Sequence, residues 1–324
     1  MSTPRIRQAA LLVALGLFAP GAPAPVPMRH APLAPGERRV AVAPAETLSV
    51  TGGPERGESS APAREAVAVV LLPGPVGSAF SVRSVVRELA PRGIVPLVID
   101  PLGMGASTRP AGADYTLSAQ ADRIARVLDR ELPTGATVVI AAQGTSATIA
   151  LHLAAADTAR IRGVLSIAGG PIDKQGTPGV RTALTFAALL DNPLGRRFAK
   201  RRFVAALREQ SANDAWLTDD VATRYVAPIQ DDLRGLLRTL GAMQASVERR
   251  PIEGRLAQVS APVRLLVGDK PSGSAPTTAQ IAMLQTHLRR FRVDTLRPGG
   301  TMLHEERAAD VARVVDELMR AARR

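Results

Sequence analysis

A doubly wound, mostly parallel eight-stranded α/β sheet with an inserted block of helices is the fold class that the sequence predicts, on three observations. Short runs rich in Val, Ile and Leu, at residues 66–72, 137–142 and 161–168, read as strands covered on both faces. Helical patterns fill the intervals between them, as in residues 117–132, where Ala121, Ile124, Val127 and Leu128 form an apolar stripe. Between residues 173 and 258 the strand signal stops and only helical patterns remain, which marks an insertion. With 324 residues, 46% of them hydrophobic, the chain can bury the core of a large domain.

In chain order, residues 1–8 carry Arg5 and Arg7, residues 9–19 are apolar without interruption, and small residues and prolines follow. This is the three-part pattern of a secretory signal, so export to the periplasm or beyond is expected, with the signal over residues 1–21. A cut after Ala22-Pro23-Ala24 would leave Pro25 just beyond it, whereas one after Ala19-Pro20-Gly21 avoids a proline there. Residues 22–37 read as a Pro/Ala-rich tether. Near-alternating residues 39–44 and 46–51 predict an edge hairpin, followed by a Gly/Ser/Pro loop over 52–62. The strand at 66–72, a turn over 73–78, a helix at 79–89 and a strand at 94–99 ending at Asp100 come next. After a glycine-bearing turn over 101–107, Thr116 is placed to cap the helix 117–132. The block 173–258 holds helical patterns at 181–190, 197–210, 219–225 behind Thr218, and 231–246. A strand at 263–267, a helix at 278–288, a strand at 291–296 and a helix at 305–322 close the chain, so the sheet domain comprises residues 38–172 and 259–324.

The formal charge of +12 favours anionic partners, yet the Arg pairs are scattered and no aromatic-interleaved stripe accompanies them. No nucleic acid partner is therefore expected, and a solvated arginine-rich surface is the plain reading. The basic run from Arg196 to Arg202 suits an acidic partner or a membrane surface. With no cysteine, thiolate catalysis, disulfides and lipoprotein attachment are excluded, and the four histidines show no metal-ligand spacing, so neither metal nor cofactor is expected.

The stretch 136–156 organises the rest. A β-branched run flows through a tight turn at Gln143 to Ser146 into a small-residue helix, which is the construction of a nucleophile elbow. Laid over Ala142-Gln143-Gly144-Thr145-Ser146, the pattern G-x-S-x-G puts Gly144 where the attacking serine belongs.

Six stretches in order carry a resemblance. Leu71-Leu72-Pro73-Gly74-Pro75-Val76-Gly77-Ser78 corresponds to LLHGxxGS, and Asp100-Pro101-Leu102-Gly103-Met104-Gly105-Ala106-Ser107 to DxRGxGxS. Tyr115-Thr116-Leu117, the elbow, Leu265-Leu266-Val267-Gly268-Asp269-Lys270, and the run from Pro298 to Arg307 complete the set. Together they resemble the α/β-hydrolase family, in the branch of esterases, epoxide hydrolases and haloalkane dehalogenases with a helical cap after the sixth strand. The resemblance implies a nucleophile, an acid and a histidine in that chain order, plus two backbone donors for the oxyanion. Carried over, the nucleophile position is Gly144, the acid position is Pro271 and the base position is Thr301. One oxyanion donor falls on Pro75, which has no N–H, and the other on the Thr145 backbone.

The resemblance also implies a largely apolar cavity between cap and sheet edge, with Pro75, Val76, Gln143, Thr145 and Trp216 as candidate ligand contacts. Among cap residues, Phe186, Leu189, Phe198, Trp216 and Tyr225 would either line that cavity or fill the cap's own core. Three functions follow: a non-catalytic protein binding a small apolar ligand or a protein partner; an active esterase-like hydrolase with a relocated triad; or an interaction module using the cap surface. The relocated triad would use Ser146 as nucleophile, His304 as base and Asp269 or Asp173 to orient it.

Overall fold

The computed structural model describes residues 36–53, 67–176 and 192–324. The expected signal, most of the tether and the first expected cap helix, with Phe186 and Leu189, lie outside the described residues.

Eight strands form one sheet in the order β1-β2-β4-β3-β5-β6-β7-β8. β1 (Glu37–Ala43) and β2 (Glu46–Gly52) make the antiparallel edge hairpin, and β2 is also antiparallel to β4 (Leu97–Ile99). β1 begins one residue inside the segment read as tether. With β3 (Val67–Leu72), β5 (Thr137–Gln143), β6 (Ile161–Ile167), β7 (Val263–Gly268) and β8 (Phe291–Leu296), every other pairing is parallel. The strand expected at 94–99 shrinks to three residues because Pro96 has no N–H for a ladder. Its carbonyl instead accepts from the Gly53 N–H at 3.0 Å.

The central strands divide their side chains between two cores. Val70 and Leu72 of β3, with Val138, Ile140 and Ala142 of β5, pack under α2 (Leu117–Glu131) and α3 (Ser146–Ala156). Val69, Leu71, Val139 and Ala141 face the other way, toward α1 (Arg83–Leu89) and α9 (Ala308–Ala322). Period-two alternation with helices on both faces is why these strands read as unbroken apolar runs. Ile140 is fully buried. Ile140→Val is expected to lower the unfolding free energy by about 1 kcal/mol in urea with an unchanged m-value, the cost of one buried methylene and a small void.

Thr116 caps α2, its hydroxyl accepting from the Ala119 N–H, as the sequence predicts. Two expected helices are divided: the first becomes a 3₁₀ turn, Ala79–Val82, followed by α1, and the last becomes α8 (Leu303–Glu306) followed by α9.

Between β6 and β7 lie α4 (Pro193–Gln210), α5 (Asp219–Ala245) and α6 (Glu253–Leu256), and between β7 and β8 lies α7 (Thr278–His287). α4 starts four residues earlier than expected. The Asn192 side chain accepts from the N–H groups of Leu194 and Gly195, and Pro193 occupies the first turn, where its missing N–H costs nothing. The two helices expected at 219–225 and 231–246 are one element bent at Asp232, which has non-helical angles (φ −150°, ψ 68°). Its carboxylate accepts from the Gly235 N–H at 2.8 Å and so restarts the helix.

Candidate functional site

β5 ends at Gln143 and α3 begins at Ser146, so Gly144 is the apex of the turn, with φ +57°. Its N–H donates to the Ile167 carbonyl at 3.0 Å, holding the apex to the end of β6. A Cβ at Gly144 would lie 3.2 Å from Pro75 Cδ, and an L-residue in this left-handed conformation costs about 1–2 kcal/mol. Gly169 is needed beside it, since a Cβ there would lie 2.1 Å from the Gly144 carbonyl oxygen. Pro75 is therefore brought to the apex, as is Gln143, whose side chain covers Gly74. Val76, at φ +61°, directs its N–H to Met104 Sδ at 3.4 Å. The Thr145 backbone stands at the head of α3.

Two further loops leave the same C-terminal edge, from β7 and β8, and they touch: a Cβ at Gly268 would lie 2.1 Å from the Gly299 oxygen and 2.3 Å from that of Gly300. Pro271 and Asp269 are exposed, and Asp269 Oδ1 accepts from the Gly299 N–H at 3.0 Å. Thr301 is buried beneath the end of α4. Its N–H donates to the Gln210 carbonyl at 2.8 Å, and a Cβ at Gly300 would lie 2.0 Å from that same oxygen. Lys270 Nζ donates to the Ser211 carbonyl at 2.6 Å, while the Glu306 carboxylate accepts from the N–H groups of Ala212, Asn213 and Gly300. The cap segment 210–213 is thus fastened onto the loop that follows β8. Sequence reasoning did not find Gln210, Lys270 or Glu306. An acidic pair, Glu305-Glu306, just after a Gly-Gly loop is the one local signal that points to them.

The structure does not bring Ser146, His304 and Asp269 together by hydrogen bonds among the described residues. The Ser146 hydroxyl, 3% exposed, donates to the Pro73 carbonyl at 2.6 Å. His304 is buried rather than facing cap or solvent, and its Nδ1 has no partner. Burial, reinforced by the Arg83 cation, pushes its pKa down to about 3. It is a neutral imidazole and a weak base at neutral pH. Asp173 accepts from the Ile252 N–H at 2.8 Å.

Trp216 and Tyr225 pack with Phe80, Leu207, Leu217 and Met302. Tyr225 meets Phe80 edge-on with ring centroids 5.6 Å apart, and Trp216 Nε1 donates to Ser211 Oγ at 3.1 Å. Tyr225 O–H donates to Glu305 at 2.5 Å, and Glu305, fully shielded, also accepts from Arg83 and from Ser84 Oγ. Burial and the Glu305 carboxylate hold the Tyr225 phenol well above its usual pKa, so it remains a donor. Phe198 takes neither role expected of it and stands 59% exposed on α4.

A cavity of about 810 Å³ opens on the cap between α4 and the start of α5. Its charged lining is Arg196, Arg197, Lys200, Arg201 and Arg208 against one acid, Asp219. None of Pro75, Val76, Gln143, Thr145 and Trp216 lies on it.

A doubly wound sheet with an elbow on its fifth strand, two adjoining loops at the same edge and helices inserted after the sixth strand defines a capped, hydrolase-type α/β domain. The chain belongs to the alpha/beta hydrolase family, whose model matches residues 69–314. No curated protein matches it in sequence. Among solved structures it is similar to Cfl2 from Burkholderia cenocepacia, with a TM-score of 0.66 at 22% identity, covering 87% of this chain and 94% of that one. The enol-lactonase from Burkholderia xenovorans LB400 gives a TM-score of 0.67 at 18% identity, over 87% of this chain and all of that one (100%). The haloalkane dehalogenase DbeA from Bradyrhizobium elkani USDA94 gives 0.63 at 21% identity, over 88% and 98%. At such identities the likeness is one of fold.

Proposed function

We propose that this chain is an exported, catalytically silent member of the family that uses the covered sheet edge to bind a small apolar ligand or a protein partner. The observation that carries the reading is Gly144: the apex that would present an attacking group has no side chain. Three more substitutions support it. Pro271 cannot orient a base, Thr301 donates its N–H to Gln210 instead of offering an imidazole, and Pro75 has no N–H for an oxyanion. Losing one member of such a unit removes most of the rate, so losing all of them leaves binding and the single donor at Thr145. Against a relocated triad, the Ser146 proton is committed to the Pro73 carbonyl, and the base such a triad would use, His304, is buried and weakly basic. Export rests on the charged, apolar and small-residue succession over residues 1–21.

A serine-directed fluorophosphonate and a panel of p-nitrophenyl esters test the reading on the purified chain. No labelling and no turnover above the buffer blank are expected, and Gly144→Ser is expected to leave the rate unchanged, since a hydroxyl without a base is a poor nucleophile. Stoichiometric modification of Ser146, or ester turnover abolished by His304→Ala, would overturn it. Thermal-shift screening against fatty acids and other apolar molecules tests the binding half. No shift across a broad set would move the function to the cap surface.

A further inference from the structure

Only four large hydrophobic side chains stand well exposed among the described residues, and two of them share one turn of one helix. Leu194 is 80% and Phe198 59% exposed, four positions apart on α4 and hence side by side. Arg197 and Arg201, both exposed, continue that face at the same spacing. The side of α4 opposite Leu194 and Phe198 is occupied: Leu207 is buried and Phe203 packs into the cap core. The outward face therefore mixes apolar side chains with cations, and among the described residues neither Leu194 nor Phe198 belongs to a hydrophobic cluster. Arg197 and Arg201 also line the cavity whose charged lining is five cations to one carboxylate.

We propose that this face of α4 docks on a membrane surface rich in anionic phospholipid, with Leu194 and Phe198 entering the headgroup layer and Arg197, Arg201 and the other cations of the cavity they line taking lipid phosphates. A helix lying in the interface needs this combination, apolar anchors flanked by Lys and Arg. Charge complementarity selects the anionic surface, and the apolar pair selects lipid over other polyanions. Nucleic acid would engage the arginines but offers nothing to Leu194, and the face lacks the run of aromatic platforms that single strands stack on. The docking is independent of whether the elbow cleaves anything.

Vesicle sedimentation of the full chain tests this, with phosphatidylcholine vesicles that contain or lack phosphatidylglycerol. Binding that requires phosphatidylglycerol is expected. Arg197→Gln with Arg201→Gln should weaken it about 30-fold, at about fivefold per cation. Leu194→Ser with Phe198→Ser should weaken it about tenfold. Because the chain has no cysteine, Phe198→Cys creates a unique attachment point for an environment-sensitive fluorophore. Its emission should shift to the blue on adding phosphatidylglycerol vesicles. The same label at Val95→Cys, exposed at the opposite edge of the sheet just before β4, should not shift. Binding indifferent to phosphatidylglycerol, affinity unmoved by both double variants, or an unchanged spectrum at position 198 would each overturn the proposal. So would arginine-dependent binding to a short DNA duplex with none to vesicles.

Discussion

Arg83→Met is expected to lower the unfolding free energy by about 3–5 kcal/mol, the cost of leaving a buried carboxylate without its counter-charge. Glu305 has no exposed side-chain surface, and its oxygens take donors from Arg83, Ser84 and Tyr225, which come from α1 and from the cap. The guanidinium also covers the Phe80 ring at 4.2 Å, so methionine keeps much of the packing while removing the charge. The remaining hydroxyl donors cannot neutralise an ionised carboxylate in so dry a place. The same logic makes Arg83→Met with Glu305→Gln recover most of the loss, because the amide carbonyl still accepts from Tyr225 and no charge is left unpaired. Urea unfolding of the two variants separates the terms. Trp216, the chain's one tryptophan, packs against Tyr225 and reports the cap side directly. A loss below 1 kcal/mol in the single variant, or no recovery in the double, would show that the charge pair is not what holds this junction.

How far this junction could be foreseen depends on the range of the contacts. The strands were legible because a two-sided sheet imposes a local rule: Val69 and Val70 point to opposite cores, and both must be apolar. The helix start at Thr116 was legible for the same reason, since its partner is three residues away. At Asn192-Pro193 an equally local signal was present and outweighed by the polar sequence that follows it. The elbow was legible in its residue types. A glycine at the apex and a proline in the facing loop are identities, and what they cannot do follows from the residue type. What packs around these positions was not legible. The Gln210 carbonyl over Thr301 joins segments 91 residues apart, and nothing near either residue announces the other. The exposed pair on α4 was hidden likewise, because Leu194 and Phe198 share a helix with Phe203 and Leu207, which pack into the cap core.

Stability is expected to peak near pH 7 and to fall by about 3 kcal/mol on acidification to pH 4, because three buried groups titrate against one another. His152 and His304 are buried, and burial lowers their pKa values to about 4 and about 3. Both imidazoles are neutral in the folded protein, whereas the unfolded chain protonates them below about 6.5. The unfolded state therefore binds more protons, so their contribution is complete above pH 6.5 and is lost as the pH falls, about 3 kcal/mol for each by pH 4. Asp100 works in the opposite sense. Burial, only partly offset by the Ala106 N–H at 3.0 Å and by Arg109, raises its carboxyl to about 7, and its Oδ1 has no partner. The folded state holds that proton between pH 3.8 and 7, so its contribution is present at low pH and is lost as the pH rises through 7. Two histidines against one carboxyl leave a net loss on the acid side. The charged groups that act on His152 from neighbouring elements, Glu248, Asp122, Arg250 and Arg255, oppose one another in sign, so desolvation dominates. His152→Leu should then flatten the profile between pH 6.5 and 4, since His304 and Asp100 cancel and neither ring nitrogen of His152 has a partner to lose. Asp100→Asn should do the reverse and steepen the fall to about 6 kcal/mol, with both histidines unopposed. Urea unfolding across a pH series reads all three profiles. If the two substitutions move the acid limb in the same direction, the assignment of opposing protons fails.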